Sequence, residues 1–380
     1  MDAVLRARTG TAIGAVGTAV CAAAVLLTGC DAAPSSSRPE ARPAAAKNGD
    51  TAPLAGKAAA PRLAVPHGDG SRVASDFNGD GHRDLVLNDL VKAPGDTHGD
   101  DAGIGVVYGT AAARGLDPAV RQLLTPSANA AEVKGTLPAA FDAEAACDLD
   151  EDGFADLVVA TDPPYDGIGR PPVPIQLLFG SPSGLTGKAA VLKIPGVARY
   201  GNDWPDHPVC GDFDGDGAND LAVTASAGQV SFLRGPFTRA GAPRAAAAPV
   251  PAGGTVLAAP EKADVDGDGA DDLVALSRAH APGTAARGTL LLGGPEGPRR
   301  AGGAYAYDAV PKPPAPALAS GETRPTTDVL VYADFSGDRR LDVVTRTHRG
   351  ERADVVALYA APTRPGPDPA ITFSTRLFLP

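Results

Sequence analysis

The sequence predicts an all-β chain folded as a β-propeller of about five four-stranded blades. Three observations carry that expectation. One acidic loop frame recurs five times, every copy runs into a short β-branched stretch, and a second apolar run ending in a turn follows each copy. Self-similarity at a spacing of tens of residues fixes an architecture before any single element does.

The five frames are DFNGDGHRDLV from Asp76, DLDEDGFADLV from Asp148, DFDGDGANDLA from Asp212, DVDGDGADDLV from Asp264 and DFSGDRRLDVV from Asp334. Their starts lie 72, 64, 52 and 70 residues apart. Positions 1, 3, 5 and 9 offer side-chain oxygens. These are Asp76, Asn78, Asp80 and Asp84, then Asp148, Asp150, Asp152 and Asp156, then Asp212, Asp214, Asp216 and Asp220. The last two sets are Asp264, Asp266, Asp268 and Asp272, and Asp334, Ser336, Asp338 and Asp342. A backbone carbonyl at position 7 and water would complete a shell. Oxygen-only ligation by several carboxylates suits a hard cation, and its flexible geometry suits calcium better than magnesium.

Glycine at position 6 (Gly81, Gly153, Gly217, Gly269) permits the sharp turn around such an ion. The fifth copy carries Arg339 there and Ser336 at position 3, so about four good calcium sites and a weak or empty fifth are expected. Position 2 is apolar in every copy (Phe77, Leu149, Phe213, Val265, Phe335), which pins each loop to a core. An EF-hand loop begins the same way, but it needs a glutamate at position 12 and flanking helices. Here position 12 is Leu87, Val159, Val223, Ala275 or Thr345, inside runs such as LVLND, LVVAT and VVTRT that read as strands.

Charge points the same way. The formal net charge is −11, yet eighteen of the 45 acids stand at positions 1, 3, 5 and 9 of the frames, leaving 27 elsewhere against 34 bases. The acidity is local to the loops, and no basic patch suggests a nucleic-acid partner. Apolar residues make up 43% of the chain, enough for a sizeable core, while 46 glycines and 37 prolines in 380 residues favour turns over long helices.

The second run in each unit is GVVYGTAAARGL (105–116), IQLLFGSPSGLT (175–186), VSFLRGPFT (230–238), TLLLGGPEG (289–297) or VVALYAAPT (355–363). A unit then reads strand, acidic loop, strand, connection, strand with a turn, and a weaker fourth strand, which is the content of a propeller blade. The DxDGDGxxDL loops followed by strands ending in FG or YG resemble FG-GAP/VCBS repeats, those of the integrin α-subunit propeller and many secreted bacterial proteins. The resemblance covers roughly residues 62–380, with a worn GAP half at Lys92-Ala93-Pro94 and Asp162-Pro163-Pro164. It implies calcium at one end of the blades and ligand binding from loops at the other. Integrin-type propellers usually have about seven blades, against five motifs here.

Two of the four cysteines, Cys147 and Cys210, lie in this body, one and two residues before their loops. Either two buried thiols or one disulfide would suit an oxidising compartment. Placement at the ends of equivalent inner strands of adjacent blades favours the disulfide.

The N-terminus is an address. Arg6 and Arg8 precede TAIGAVGTAVCAAAVLL and then Leu27-Thr28-Gly29-Cys30, which resembles a bacterial lipobox. Residues 1–29 are therefore expected to be a lipoprotein signal peptide and Cys30 the lipid-bearing residue, which would place the protein outside the cytoplasmic membrane. Residues 30–61, rich in Ala, Pro and Ser, read as a disordered tether. A monomer is expected.

No catalytic constellation stands out. Gly180-Ser181-Pro182-Ser183-Gly184 has proline where a nucleophile elbow needs serine, and there is no HExxH, phosphate-binding glycine loop or zinc spacing. Three connections opposite the acidic loops are rich in binding chemistry: 88–103 with His98 and Asp101, 161–172 with Tyr165 and Asp166, and 201–208 with Trp204 and His207. They suit a binding or adhesion module for a protein or glycan. The alternative is a propeller-type polysaccharide lyase or hydrolase with acid/base residues drawn from those loops.

Overall fold

The computed structural model describes residues 61–379 apart from 93–102, 112–114, 200, 202–203, 311, 314–315, 317–324 and 361–367. The signal segment, Cys30 and nearly all of the tether therefore lie outside the described residues, as do His98 and Asp101.

Among the described residues, twenty strands form five antiparallel sheets, the blades of a β-propeller. Blade 1 holds β1 (Leu85–Leu87), β2 (Ile104–Gly109) and β3 (Leu116–Leu124). Blade 2 holds β4 (Phe141–Cys147), β5 (Asp156–Thr161), β6 (Ile175–Leu178) and β7 (Ala190–Val191). Blade 3 holds β8 (Val209–Gly211), β9 (Asp220–Ala225) and β10 (Gln229–Arg234), with β11 (Ala245–Ala246) and β12 (Val250–Pro251) sharing its outer edge. Blade 4 is β13 (Val256–Ala258), β14 (Leu273–Leu276), β15 (Ala286–Leu292) and β16 (Arg299–Tyr307). Blade 5 is β17 (Thr326–Ala333), β18 (Asp342–Arg349), β19 (Arg352–Tyr359) and β20 (Ile371–Ser374).

The acidic loops connect the first and second strands of blades 2 to 5, so all of these loops share one end of the propeller. Each second strand is apolar on both faces and buried, as a sheet sandwiched between two others requires: β5, β9 and β14 carry DLVVAT, DLAVTA and LVAL.

Two departures from the expected unit have physical causes. Blade 1 has three strands, because the segment before Asp76 does not pair as an inner strand. Instead Leu63 bridges Val120 of β3 in parallel, while Gly68 and Gly70 donate their amides to the carbonyls of Asn78 and Gly79. That segment is glycine-bearing and too polar (HGDGSR) to fill a blade interior. The fourth strand, expected to be weak everywhere, is two residues long in blade 2 but nine in blade 4.

Apolar clusters fill the seams between blades. Phe77, Val106 and Tyr108 of blade 1 meet Leu157, Val159 and Leu178 of blade 2. Leu149 and Leu177 of blade 2 meet Leu221 and Leu233 of blade 3, and Phe213 and Phe232 of blade 3 meet Leu257 and Leu273 of blade 4. Leu85, Leu87 and Val107 of blade 1 also meet Val344, Val356 and Phe373 of blade 5, which brings the two ends of the repeat together. Blades 4 and 5 touch where the Tyr332 ring lies against Gly283, close enough that a Cβ there would stand 2.6 Å from the ring.

Candidate metal centres and the opposite face

Every loop folds by one scheme. The position 1 carboxylate accepts from the backbone amide of position 6: Gly81, Gly153, Gly217, Gly269 and, in the fifth loop, Arg339. The position 5 carboxylate accepts from the amide of position 7, at His82, Phe154, Ala218, Ala270 and Arg340. The position 5 to 7 contacts are Asx turns, in which a short acidic side chain mimics the backbone, and the position 1 contact five residues on tightens the chain around them. Arg339 takes the conformation that glycine takes elsewhere, with φ of 65°, so the fifth loop keeps its shape despite its altered sequence.

The position 9 carboxylate has a second task that the sequence reading missed. Asp84, Asp156, Asp220 and Asp272 are buried. One oxygen of each accepts from the position 2 amide, at 2.8, 2.9, 3.0 and 2.7 Å. The other accepts from the glycine ending the third strand: Gly109, Gly180, Gly235 and Gly293. A Cβ on those four glycines would sit 2.0–2.6 Å from the carbonyl oxygen of position 8: Arg83, Ala155, Asn219 or Asp271. The glycine after the third strand is thus required because the backbone of the loop passes directly over it. The coincidence of DxDxDG with FG or YG was the available signal.

Positions 1, 3 and 9 converge in three loops. Asp148, Asp150 and Asp156 offer oxygens within 4.8 Å of one another, as do Asp212, Asp214 and Asp220, and Asp264, Asp266 and Asp272. Position 5, expected as a fourth ligand, is not drawn into any of these groups. In loops 2 and 3 its free oxygen is taken instead by Arg239 on Asp152 and Arg244 on Asp216. The fifth loop lacks such a group because Ser336 stands at position 3 and lies 3.5 Å from Asp334.

The residues fit a hard cation on grounds beyond acidity. Asp150 Oδ1 and Asn78 Oδ1, both at position 3, are buried acceptors with no hydrogen-bond partner. Burial pushes Asp156 up to about 8, its two backbone hydrogen bonds only partly offsetting the effect and the neighbouring carboxylates adding to it. Burial likewise raises Asp220 to about 7, and Asp150 to about 6 with help from Asp152. A divalent ion amid the oxygens would satisfy the orphaned acceptors and restore the ionised form.

At the other end, Tyr165 from the β5–β6 connection meets Trp204 from the β7–β8 connection edge to face, with centroids 6.0 Å apart. Tyr165 donates to the Gly169 carbonyl at 2.7 Å, Asp166 caps Ile168, and Arg199 donates to the Pro171 carbonyl, so the two connections are tied together. Ile168 beside them is 77% exposed. His207 does not join this pair. It lines a cavity of about 340 Å³ at the inner strands β4, β8 and β13, with Glu144, Val209 and Leu257. The same inner strands carry the Cys147–Cys210 disulfide, with Cα atoms 6.2 Å apart.

A further cluster on this end was not legible in the sequence. Asp354, fully buried in β19, pairs with Lys92, with Arg346 Nε at 2.7 Å and with His348 Nδ1 at 3.2 Å. Burial would raise its pKa, but the hydrogen bonds from His348 and Lys92 and the Arg346 charge hold it at about 2. Arg346 also donates to the carbonyls of Asn88 and Asp89 in blade 1. Asn88 in turn bonds both backbone groups of Ala143 at the bulge of β4.

Residues 212–275, the third loop through the fourth, match the family model of the FG-GAP-like repeat. No curated protein is significantly similar to the chain. The body of this chain is thus a five-bladed β-propeller with an FG-GAP-like repeat over residues 212–275, whose acidic frame recurs in every blade and whose glycine contact recurs in four.

Proposed function

We propose that this protein is a lipid-anchored, extracytoplasmic binding module, a calcium-stabilised propeller that holds a protein or glycan ligand on the face away from its acidic loops. The observation that carries the reading is the Tyr165–Trp204 pair, built from two separate connections on that face. Paired aromatic rings beside an exposed Ile168 offer the flat apolar surface, rimmed by Asp166 and Arg170, on which sugar rings or a partner's side chains dock. Calcium is the ion that best suits the loops, since the donors are all oxygens and the frames are flexible turns. The lipid would sit on Cys30, with residues 31–61 as the spacer.

The test is a glycan array and a proximity-labelling screen on the calcium-loaded protein, followed by the Trp204→Ala and Tyr165→Ala variants. Loss of binding by tenfold or more with an unchanged melting temperature supports the site. Unaltered binding by both variants would sink it. Turnover of any bound glycan would move the assignment to the polysaccharide lyase or hydrolase reading.

A further inference from the structure

Loops 2, 3 and 4 have the same ligand frame but different electrostatic surroundings. In loop 2 a single guanidinium spans two ligand positions: Arg239 Nε lies 2.8 Å from Asp150 Oδ2, and its Nη2 pairs with Asp152 Oδ2. Arg239 belongs to the connection after β10, so it reaches across from blade 3 to the loop of blade 2. Asp150 is left with Oδ1 unpartnered, on a side chain only 8% exposed. The other oxygen of Asp152, Oδ1, accepts from the Phe154 amide, so both oxygens of this carboxylate already have a partner. Loop 3 repeats the arrangement from within its own blade: Arg244 holds Asp216, and Arg234 Nη1 lies 3.2 Å from Asp214 Oδ2. Loop 4 differs. Among the described residues no arginine or lysine forms an ion pair with Asp264, Asp266 or Asp268, Lys262 acting on Asp264 only at longer range, and the Asp268 oxygen not used by Ala270 is open.

We propose that Arg239 and Arg244 set the affinity of two metal loops by acting as resident cations, dividing the calcium sites into a tight class that includes loop 4 and a weak class made of loops 2 and 3. The proposal rests on the calcium reading above. Two physical effects act in the same direction. An arriving ion competes with the arginine for the position 5 carboxylate, whose other oxygen already accepts the position 7 amide. The guanidinium also repels the arriving ion. Coulomb's law in bulk-water dielectric puts that repulsion at about a tenfold loss of affinity for a divalent ion and a guanidinium about 6 Å apart. Arg239 has a place to go when displaced, since it already lies over the Phe179 ring at 5.3 Å. Ion-free, the same arginines neutralise carboxylates that would otherwise repel one another, so loops 2 and 3 keep their shape without calcium.

Calcium titration of the full chain, followed by native mass spectrometry and calorimetry, tests this on the wild type, Arg239→Gln, Arg244→Gln and the double variant. The wild type should fill in two classes. Each single variant should move one ion, and the double variant two, to at least tenfold tighter binding. Asp266→Ala, at a converging position of loop 4, leaves every arginine in place and should remove an ion from the tight class, and this arm stands even if an arginine variant fails to fold. Unchanged or weakened binding in the arginine variants, with the wild type still taking up calcium, would overturn the resident-cation proposal alone. A wild type that takes up no calcium would overturn the calcium reading and this proposal with it.

Discussion

At the scale of residues, the carboxylate at position 9 is the most constrained group in each of the first four units. It is buried, it closes the loop on its own start through the position 2 amide, and it fixes the third strand through a glycine amide. The glycine is the other half of that device. In Gly180→Ala the new Cβ would stand 2.4 Å from the Ala155 carbonyl oxygen, a backbone atom that cannot move aside. Thermal or urea unfolding should show a loss of about 2 kcal/mol, the usual cost of forcing an extra carbon into a packed site. Gly196→Ala is the control: nothing lies within 4 Å of its Cβ, and the change should stay within about 0.5 kcal/mol. Equal effects at both positions would mean that close backbone approach is not what selects the glycine.

At the scale of elements, the blade 2–blade 3 seam is the most heavily tied. Its apolar cluster is supplemented by the Cys147–Cys210 disulfide between β4 and β8, by Phe237 donating to the Leu149 carbonyl, and by Asn219 donating to the Asp148 carbonyl. The disulfide closes a span of 63 residues, so it restricts the unfolded chain considerably. The Cys147→Ser/Cys210→Ser variant should lose about 2–4 kcal/mol in urea unfolding. Reducing agent should destabilise the wild type to a similar degree and leave the double variant unaffected. A wild type indifferent to reductant would mean that the neighbouring contacts alone hold the seam.

At the scale of the whole molecule, ring closure depends on the first and last blades, and there the chain uses buried charge as well as apolar packing. Asp354 gathers Lys92 and Arg346, while Phe378 packs on Gly105 and Arg121 donates to the Leu377 carbonyl. Asp354→Asn would leave two cations in a buried setting with no anion between them, a loss of about 3–5 kcal/mol in equilibrium unfolding. Because the folded protein holds this carboxyl at about 2, below its ordinary value near 3.8, its contribution is present above that ordinary value. It should fade as the pH falls from about 4 towards 2. Measured against the wild type, the Asp354→Asn defect should therefore shrink on acidification. A defect that stays constant down to pH 2 would show that its charge is not what closes the ring.

The sequence alone pointed to about five blades, the recurring acidic loops and the apolar pins at position 2, because each is written locally and repeated five times. It also marked Cys147 and Cys210 as neighbours, since register within a repeat converts position along the chain into position in space. Only the tertiary structure decided which acidic positions converge. Asp152 and Asp216 fit the ligand frame by spacing, yet they stand outside the converging groups, as Asp268 does in loop 4, and arginines from other connections pair with them. Tertiary structure also decided that blade 1 lacks its inner strand, that Tyr165 meets Trp204 while His207 faces the inner cavity, and that Lys92 reaches Asp354 across 262 residues. The physical reason is the same in each case. A turn is governed by a few consecutive residues, whereas a side-chain ion pair or a shared aromatic surface forms between segments that only the closed ring brings together.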